Sequence, residues 1–484
     1  MKKLNTLVLL ITLIFCVKCK SNTNKTTTNH TAEVTATING VWKSIGYGRI
    51  IKVDEETVAI YDINSISCLP SEEFPRDAAL KILSMNLKGE NMMNVQMGIN
   101  KYDFVRIEKM PENCAPLSKA KQNDPIYNFE SLCQTFKEQY GYFKERNIDW
   151  DTYTNTYRKK ISAESTPLEL YFVLKEMLEG MNDGHVGIEL PEALEEAYAL
   201  HKEEKAKNTN KEKRRSIDID EFRIEQLKKY VDAISSYNYG VLNWGKINDD
   251  VMLLQINGMM QFPHYDIPTD DPEKAETLFE QYAEESENYT QDEINGAAYI
   301  MDKIFPELEK AKTCIIDLRF NGGGIDEVAL KILSYFTPKE TTVFTKKAYI
   351  KEGGFTAVNT VRISPAKKIF KGNLYILTSP QSASATEIFV LSSLKATPNA
   401  VRVGSNTEGI FSDILEKQLP NGWSYGLSNE IYENMDGVNY ENIGIPADYH
   451  IEYNRESGFE LVSNLQDQEK DEAIEKVLEL VKEK

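Results

Sequence analysis

Between residues 312 and 405 the chain repeats one arrangement: a short apolar run, a turn, then a helical pattern. "KTCIIDLRF" leads through Gly322-Gly323-Gly324 into "EVALKILSYF". "NLYILTS" leads through Pro380 into "SATEIFVLSSLKA", and "AVRVGS" follows. Strand–turn–helix units in series need crossover connections, which make neighbouring strands parallel. The expectation is an α/β fold: a mostly parallel core sheet with flanking helices. Sheets of this kind place chemistry at the carboxyl ends of their strands. Upstream, "DDVMLLQING" reads as a further strand, and "ETLFEQYAEE" and "GAAYIMDKIFPELEKA" read as helices. The terminal "EKDEAIEKVLELVKEK" reads as an amphipathic helix.

At 484 residues the chain is too long for one core, since single cores stop growing near about 250–300 residues. Residues 1–19 read as a signal peptide of lipoprotein type. Lys2 and Lys3 precede the apolar stretch Leu4 to Val17, which is too short to span a bilayer. Cys19, followed by Lys20-Ser21-Asn22, is favoured as the acylated residue over Cys16, which has Phe15 where a small residue is usual. A cleaved signal without lipid is the other reading. The chain is therefore expected to be exported, periplasmic or attached to an outer membrane. Residues 20–38, rich in Ser, Thr and Asn, read as a flexible tether.

Residues 39–117 read as a small N-terminal β domain, with "SIGYGRIIKV" and "ETVAIYDI" alternating at strand period. Residues 125–190 form a helical segment ending in an Asp-Gly-His turn. Residues 191–245 read as a charged insertion around "KEEKAKNTNKEKRR", and 246–484 as the α/β core. The formal net charge of −19 opposes binding to nucleic acid or an anionic bilayer surface. Any membrane contact is expected only through the N-terminal anchor. Of the four later cysteines, Cys68 and Cys114 could pair in an oxidising compartment; two buried free thiols is the alternative. Beyond the signal region there is no C-x-x-C and no paired histidine motif, so neither a metal nor a cofactor is expected.

Three segments carry candidate chemistry. In "LTSPQSASATEIF" a buried strand ends and Ser384 stands between Ala383 and Ala385 where a helix begins. There a hydroxyl would sit above the sheet, beside free N–H groups that could hold an oxyanion. The same residues also fit a capping box, Ser384 to Glu387, in which the serine only caps the helix. In "IIDLRFNGGG" the glycines could turn N–H groups toward an oxyanion or a phosphate, or simply make a tight turn. In "LEGMNDGHVGIEL", His185 follows Asp183 and Gly184 at a helix-to-strand turn. It is one of five histidines, and a lone histidine is often structural.

"DGHV", "IDLRFNGGG", "SASATEIF" and "YENIGIPAD" occur in the order found in the C-terminal processing and tricorn-type serine peptidases, and the chain resembles that family from about Phe129 onward. The resemblance implies a crotonase-like peptidase core, a polypeptide substrate and a Ser384 nucleophile. The lysine of the Ser–Lys subtype is missing, because Ile410 stands at its place in "GSNTEGIFSD". The tricorn-like subtype takes its base from the early turn, which implies His185. Glu441 matches that subtype's late glutamate, with Asn442 in place of the usual glycine. The backbone N–H groups of Gly323 and Ala385 are the implied oxyanion donors. No PDZ module is evident between Gly187 and Trp244. A non-catalytic relative on this fold, such as the lipid-binding interphotoreceptor retinoid-binding proteins, and a hydrolase of non-peptide esters or amides are the competing readings.

Overall fold

The computed structural model describes residues 38–207, 218–269, 271–351, 354–453, 458–466 and 468–483. The signal-like stretch, Cys16, Cys19 and most of the tether lie outside them, as does the middle of the charged run, 208–217. Among the described residues no helix is long and apolar enough to cross a membrane.

The first unit is an antiparallel sheet of seven strands running from Gly40–Ser44 to Asn100–Ile107. Its last strand returns to pair with its first, so that the chain leaves the sheet from its middle. Trp42, Ile51, Val58, Val95 and Phe104 form its own core. Cys68 and Cys114 are joined in a disulfide that ties one edge strand to the exit of the sheet.

Three helices follow, Pro125–Gln139, Trp150–Arg158 and Pro167–Glu179. Each begins on a capping side chain: Asp124, Asp149 and Thr166, the last in a reciprocal capping box with Glu169. Phe129, Leu132, Phe136, Leu174 and Met177 repeat at helical spacing and make a second core. The third helix stops at Gly180 and releases the chain into the Asp183-Gly184-His185 turn.

The main sheet also has seven strands. Val251–Ile256, Thr313–Asp317, Asn373–Thr378, Val401–Gly404 and Tyr449–His450 lie parallel in that order. Leu242–Asn248 and Ser235–Tyr237 extend the other edge antiparallel. Ser235–Tyr237 and the first half of Leu242–Asn248 fall within residues 191–245, which the sequence reading placed in the charged insertion. The period of two explains why the central strands read as unbroken apolar runs. Met252, Leu254 and Ile256 face helices Tyr289–Leu308, Asp326–Leu333 and Ala385–Ala396, whereas Val251 and Leu253 face Ile219–Lys228 and the C-terminal helices. The α/β architecture, with its helical segment and front β-sheet, is the one expected.

The front sheet is built into the rest of the molecule through buried polar contacts. Lys417 Nζ lies 2.6 Å from Asp62 Oδ1 and donates to the carbonyls of Tyr47 and Gly48. The Tyr47 hydroxyl donates to Glu430 at 2.7 Å, and the Ile99 amide to Glu327 at 2.9 Å.

Candidate active site

Strand Asn373–Thr378 ends in a turn that its own serines tie down. Ser379 Oγ donates to the Arg319 carbonyl at 2.6 Å, and Ser382 Oγ to that of Leu318 at 2.8 Å. The turn delivers Ser384 to the start of helix Ala385–Ala396 with φ +55° and ψ −126°, a backbone conformation that side chains rarely adopt. Such a residue stores about 1–3 kcal/mol of strain, and strain of this kind clusters at functional sites. The capping-box alternative is not realised. The Ser384 side chain makes no cap bond, and Glu387 turns elsewhere. The half-buried hydroxyl has no hydrogen-bond partner among the described residues and is flanked by the buried methyls of Ala383 and Ala385.

The glycine loop lies against this turn. Gly323 has φ +110°, and a Cβ there would sit 2.6 Å from Ser384 Cβ and 3.1 Å from the Ala385 nitrogen. Only glycine leaves that space open. Asn321, fully buried, organises the contact. Its Oδ1 accepts the Gly323 amide at 3.0 Å and the Thr386 hydroxyl at 2.5 Å, and its Nδ2 donates to the Ile256 carbonyl. The two expected oxyanion donors thus differ: the Gly323 N–H is engaged by Asn321, whereas the Ala385 N–H makes no hydrogen bond within the described residues.

His185 is held by its own turn and by Ser412. Its amide donates to Asp183 Oδ1 at 3.0 Å, and its Nδ1 lies 2.5 Å from the Ser412 carbonyl. A carbonyl can only accept, so Nδ1 carries the proton in the neutral ring and Nε2 is left as the acceptor. Burial lowers the proton affinity of the ring, opposed by Asp183, the Ser412 carbonyl and Asp413. The segment Gly409 to Ser412 links the two turns. The Ser384 amide donates to the Ile410 carbonyl at 3.2 Å, and a Cβ on Gly184, next to His185, would strike Ile410 Cδ1 at 2.3 Å. Buried Glu387 pins this segment by accepting the amides of Gly409 at 2.8 Å and Ile410 at 2.7 Å. Burial raises its carboxyl to about 7.

Glu441 touches neither Ser384 nor His185. Its Oε2 accepts the Phe411 amide at 2.9 Å and its Oε1 accepts Arg146 Nη2 at 2.7 Å. Burial, and then the charge of Asp183, raise it to about 8. The lysines lie elsewhere. Lys395 pairs with Asp436, Lys417 with Asp62, and Lys346 with Asp413 and Glu430. Of the other described histidines, His201 packs on Phe172, His264 stacks on Tyr299 and His450 pairs with Glu452. Among the described residues no group of three His, Cys, Asp or Glu could hold a metal. Sequence reasoning missed Arg146, Asn321 and the loop-pinning role of Glu387. No spacing signal marks Arg146, while Asn321 and Glu387 stand inside "IDLRFNGGG" and "SASATEIF", where only a capping role is read for Glu387 and none for Asn321.

Residues 287–451 match peptidase family S41, and residues 122–179 match the tricorn protease C1 domain. The S41 match takes in the glycine loop, Ser384 and Glu441, and the C1 match takes in the three helices before the Asp183-Gly184-His185 turn. The chain is accordingly a hydrolase, and polypeptides are the substrate class that the family implies. No curated protein shows a significant match to the sequence. Solved structures that share the fold include the following two. A candidate peptidase from Parabacteroides merdae is 20% identical with a TM-score of 0.52, covering 74% of this chain and 96% of that one. Mature CPAF complexed with lactacystin is 12% identical with a TM-score of 0.50, covering 75% of this chain and 99% of that one.

Proposed function

We propose that the protein is an exported peptidase in which Ser384 is the nucleophile and His185 the general base. The observation that carries this reading is the shared segment Gly409 to Ser412, which holds the Ser384 amide at one end and the His185 ring at the other. A serine hydroxyl needs an adjacent base. His185 Nε2 would take the Ser384 proton as Oγ bonds to the scissile carbonyl carbon. The resulting oxyanion would be held by the Ala385 N–H, with the Gly323 N–H sharing its proton between Asn321 and the substrate. Collapse would break the C–N bond, and the amine would leave with the proton from His185. Water, deprotonated by the same ring, would then release the acyl group. Glu441 acts in this scheme as a positioning residue. Lipid attachment at Cys19 and a place at the periplasmic or outer-membrane surface belong to the same proposal.

The test is labelling of the whole protein with a fluorophosphonate probe, followed by digestion of a peptide library. Probe on Ser384, lost in Ser384→Ala, together with cleaved peptides, supports the peptidase. Labelling without peptide cleavage would redirect the reading to a non-peptide ester or amide. No labelling at all would leave a binding protein on a peptidase fold.

A further inference from the structure

We propose that Arg146 is a positioning residue that fixes both the main chain and the ring of His185 through two buried carboxylates. This rests on the reading of His185 as the base. The Arg146 side chain is 4% exposed, and both carboxylates it faces are fully buried. Its Nε is ion-paired with Asp183 Oδ2 at 3.2 Å, and its Nη2 donates to Glu441 Oε1 at 2.7 Å. Its Nη1 donates to the carbonyl of Asn182, the residue before Asp183. Two arms leave from this fork. One runs through Asp183, whose Oδ1 accepts the His185 amide. The other runs through Glu441 to the Phe411 amide, one residue before the Ser412 carbonyl that receives His185 Nδ1.

The chemistry explains why an arginine stands here. Bridging two carboxylates that point to different atoms needs a planar fork of donors, which a lysine lacks. Among the described residues the other donors to the Asp183 carboxylate are neutral: the His185 amide at 3.0 Å, the Tyr140 hydroxyl at 2.8 Å and the Ser428 hydroxyl at 3.1 Å. Arg146 is the cation that balances the buried pair of carboxylates.

The groups facing His185 are Asp183 on its own turn, Asp413 from the shared segment and Arg146 from the helical segment. Lys346 lies behind Asp413 at 3.1 Å, and Glu441 and Tyr140 lie behind Arg146 and Asp183. Loss of Arg146 removes a positive charge and leaves the two acids unbalanced. The ring would then hold its proton to higher pH.

The experiment measures the rate of fluorophosphonate labelling of Ser384 against pH, for the whole protein and for Arg146→Gln, Arg146→Lys, Glu441→Gln and Ser384→Ala. This readout needs no known substrate. Arg146→Gln is expected to label about tenfold more slowly or worse at its optimum, because small misplacements of a base are costly, with its acid limb moved to higher pH. Arg146→Lys keeps the charge, so it should restore the limb but not the rate. Rates and limbs like the wild type in Arg146→Gln would overturn the proposal. So would a uniform slowing in both Arg146 variants with the limb unmoved, which is what loosened packing alone would give. Should Arg146→Gln not fold, the decision passes to Arg146→Lys and Glu441→Gln, and wild-type rates in both would overturn it. Labelling that persists in Ser384→Ala would instead sink the Ser384 reading itself.

Discussion

The amide of Ser384 donates to the carbonyl of Ile410 at 3.2 Å, so the strained turn is held by a segment distant in sequence rather than by its own helix. Because the Ser384 hydroxyl caps nothing, Ser384→Ala should abolish hydrolysis and probe labelling without lowering thermal stability. Ser384→Gly should raise stability by about 1 kcal/mol, since glycine adopts positive φ without the steric cost. Thermal melts of the three proteins check both. A clear loss of stability in the alanine variant would contradict the absence of a cap bond.

The pH profile follows from the surroundings of His185. Only the neutral ring can accept a proton. Burial lowers its pKa, so the neutral form persists to lower pH than in a free histidine, whose value is about 6.5. The acid limb of the labelling rate should therefore have its midpoint below about 6.5, and His185→Gln should lower the rate by about 10²–10⁴-fold. A limb centred well above neutrality and unchanged in His185→Gln would point to a different base.

Glu387 gives a prediction with two readouts. Its carboxylate holds the amides of Gly409 and Ile410, so Glu387→Ala should slow labelling of Ser384 by at least about tenfold through displacement of the shared segment. The second readout is stability. The folded carboxyl titrates near about 7, above the unfolded value of about 4.3. A raised value means that the folded state binds the proton more tightly. This contribution is complete below about pH 4.3 and is lost as pH rises through about 7. Melting temperatures measured from pH 5 to pH 8 should fall less steeply in Glu387→Gln than in the wild type.

The core sheet was legible because each central strand buries both faces and each is followed by a turn and an amphipathic helix. His185 stood out because histidine is scarce and this one sits in an Asp-Gly turn. What local pattern could not carry was pairing across long separations. Phe344 opposes Asn434 in a small sheet of Thr341–Ile350, Gly354–Phe355, Asn359–Ile363 and Glu430–Asn434, and no periodicity announces such a partner. The same holds for Arg146. It reads as one more charge in "FKERNIDW", and only the fold brings it to Asp183 and Glu441. Ser235–Tyr237 and the start of Leu242–Asn248 read as insertion because the charged run before them sets the composition of the window.

Lys417 is a buried lysine of lowered proton affinity, as a Ser–Lys mechanism would need, and it is spent on structure instead. Burial lowers it to about 8, yet it sits 2.6 Å from Asp62 and holds the front sheet to the core. Lys417→Met should destabilise the protein by about 3 kcal/mol, because buried Asp62 loses its close partner and keeps only the more distant Arg49, at 3.6 Å. Adding Asp62→Asn should recover much of that loss. Ser384 should still label in the folded fraction. A Lys417→Met protein that is stable but cannot be labelled would mean that this lysine serves the chemistry.

The disulfide is tested by counting thiols. Cys68 opens the edge strand Cys68–Pro75, and Cys114 closes the short turn Glu112–Cys114 that leads from the sheet toward the helices. The bond spans a sequence separation of 46 residues, so in the chain-entropy account it constrains the unfolded chain by about 4 kcal/mol. In the denatured, unreduced protein Cys133 and Cys314 should react with a thiol reagent, while Cys68 and Cys114 should react only after reduction. Peptide mapping assigns each. The paired substitution Cys68→Ala and Cys114→Ala should lower the melting temperature of the whole protein, because the front sheet is tied to the core through Lys417, Tyr47 and Ile99. Free thiols at both Cys68 and Cys114 before reduction would rule the bond out, and an unchanged melting temperature in the double variant would show that it adds nothing to stability.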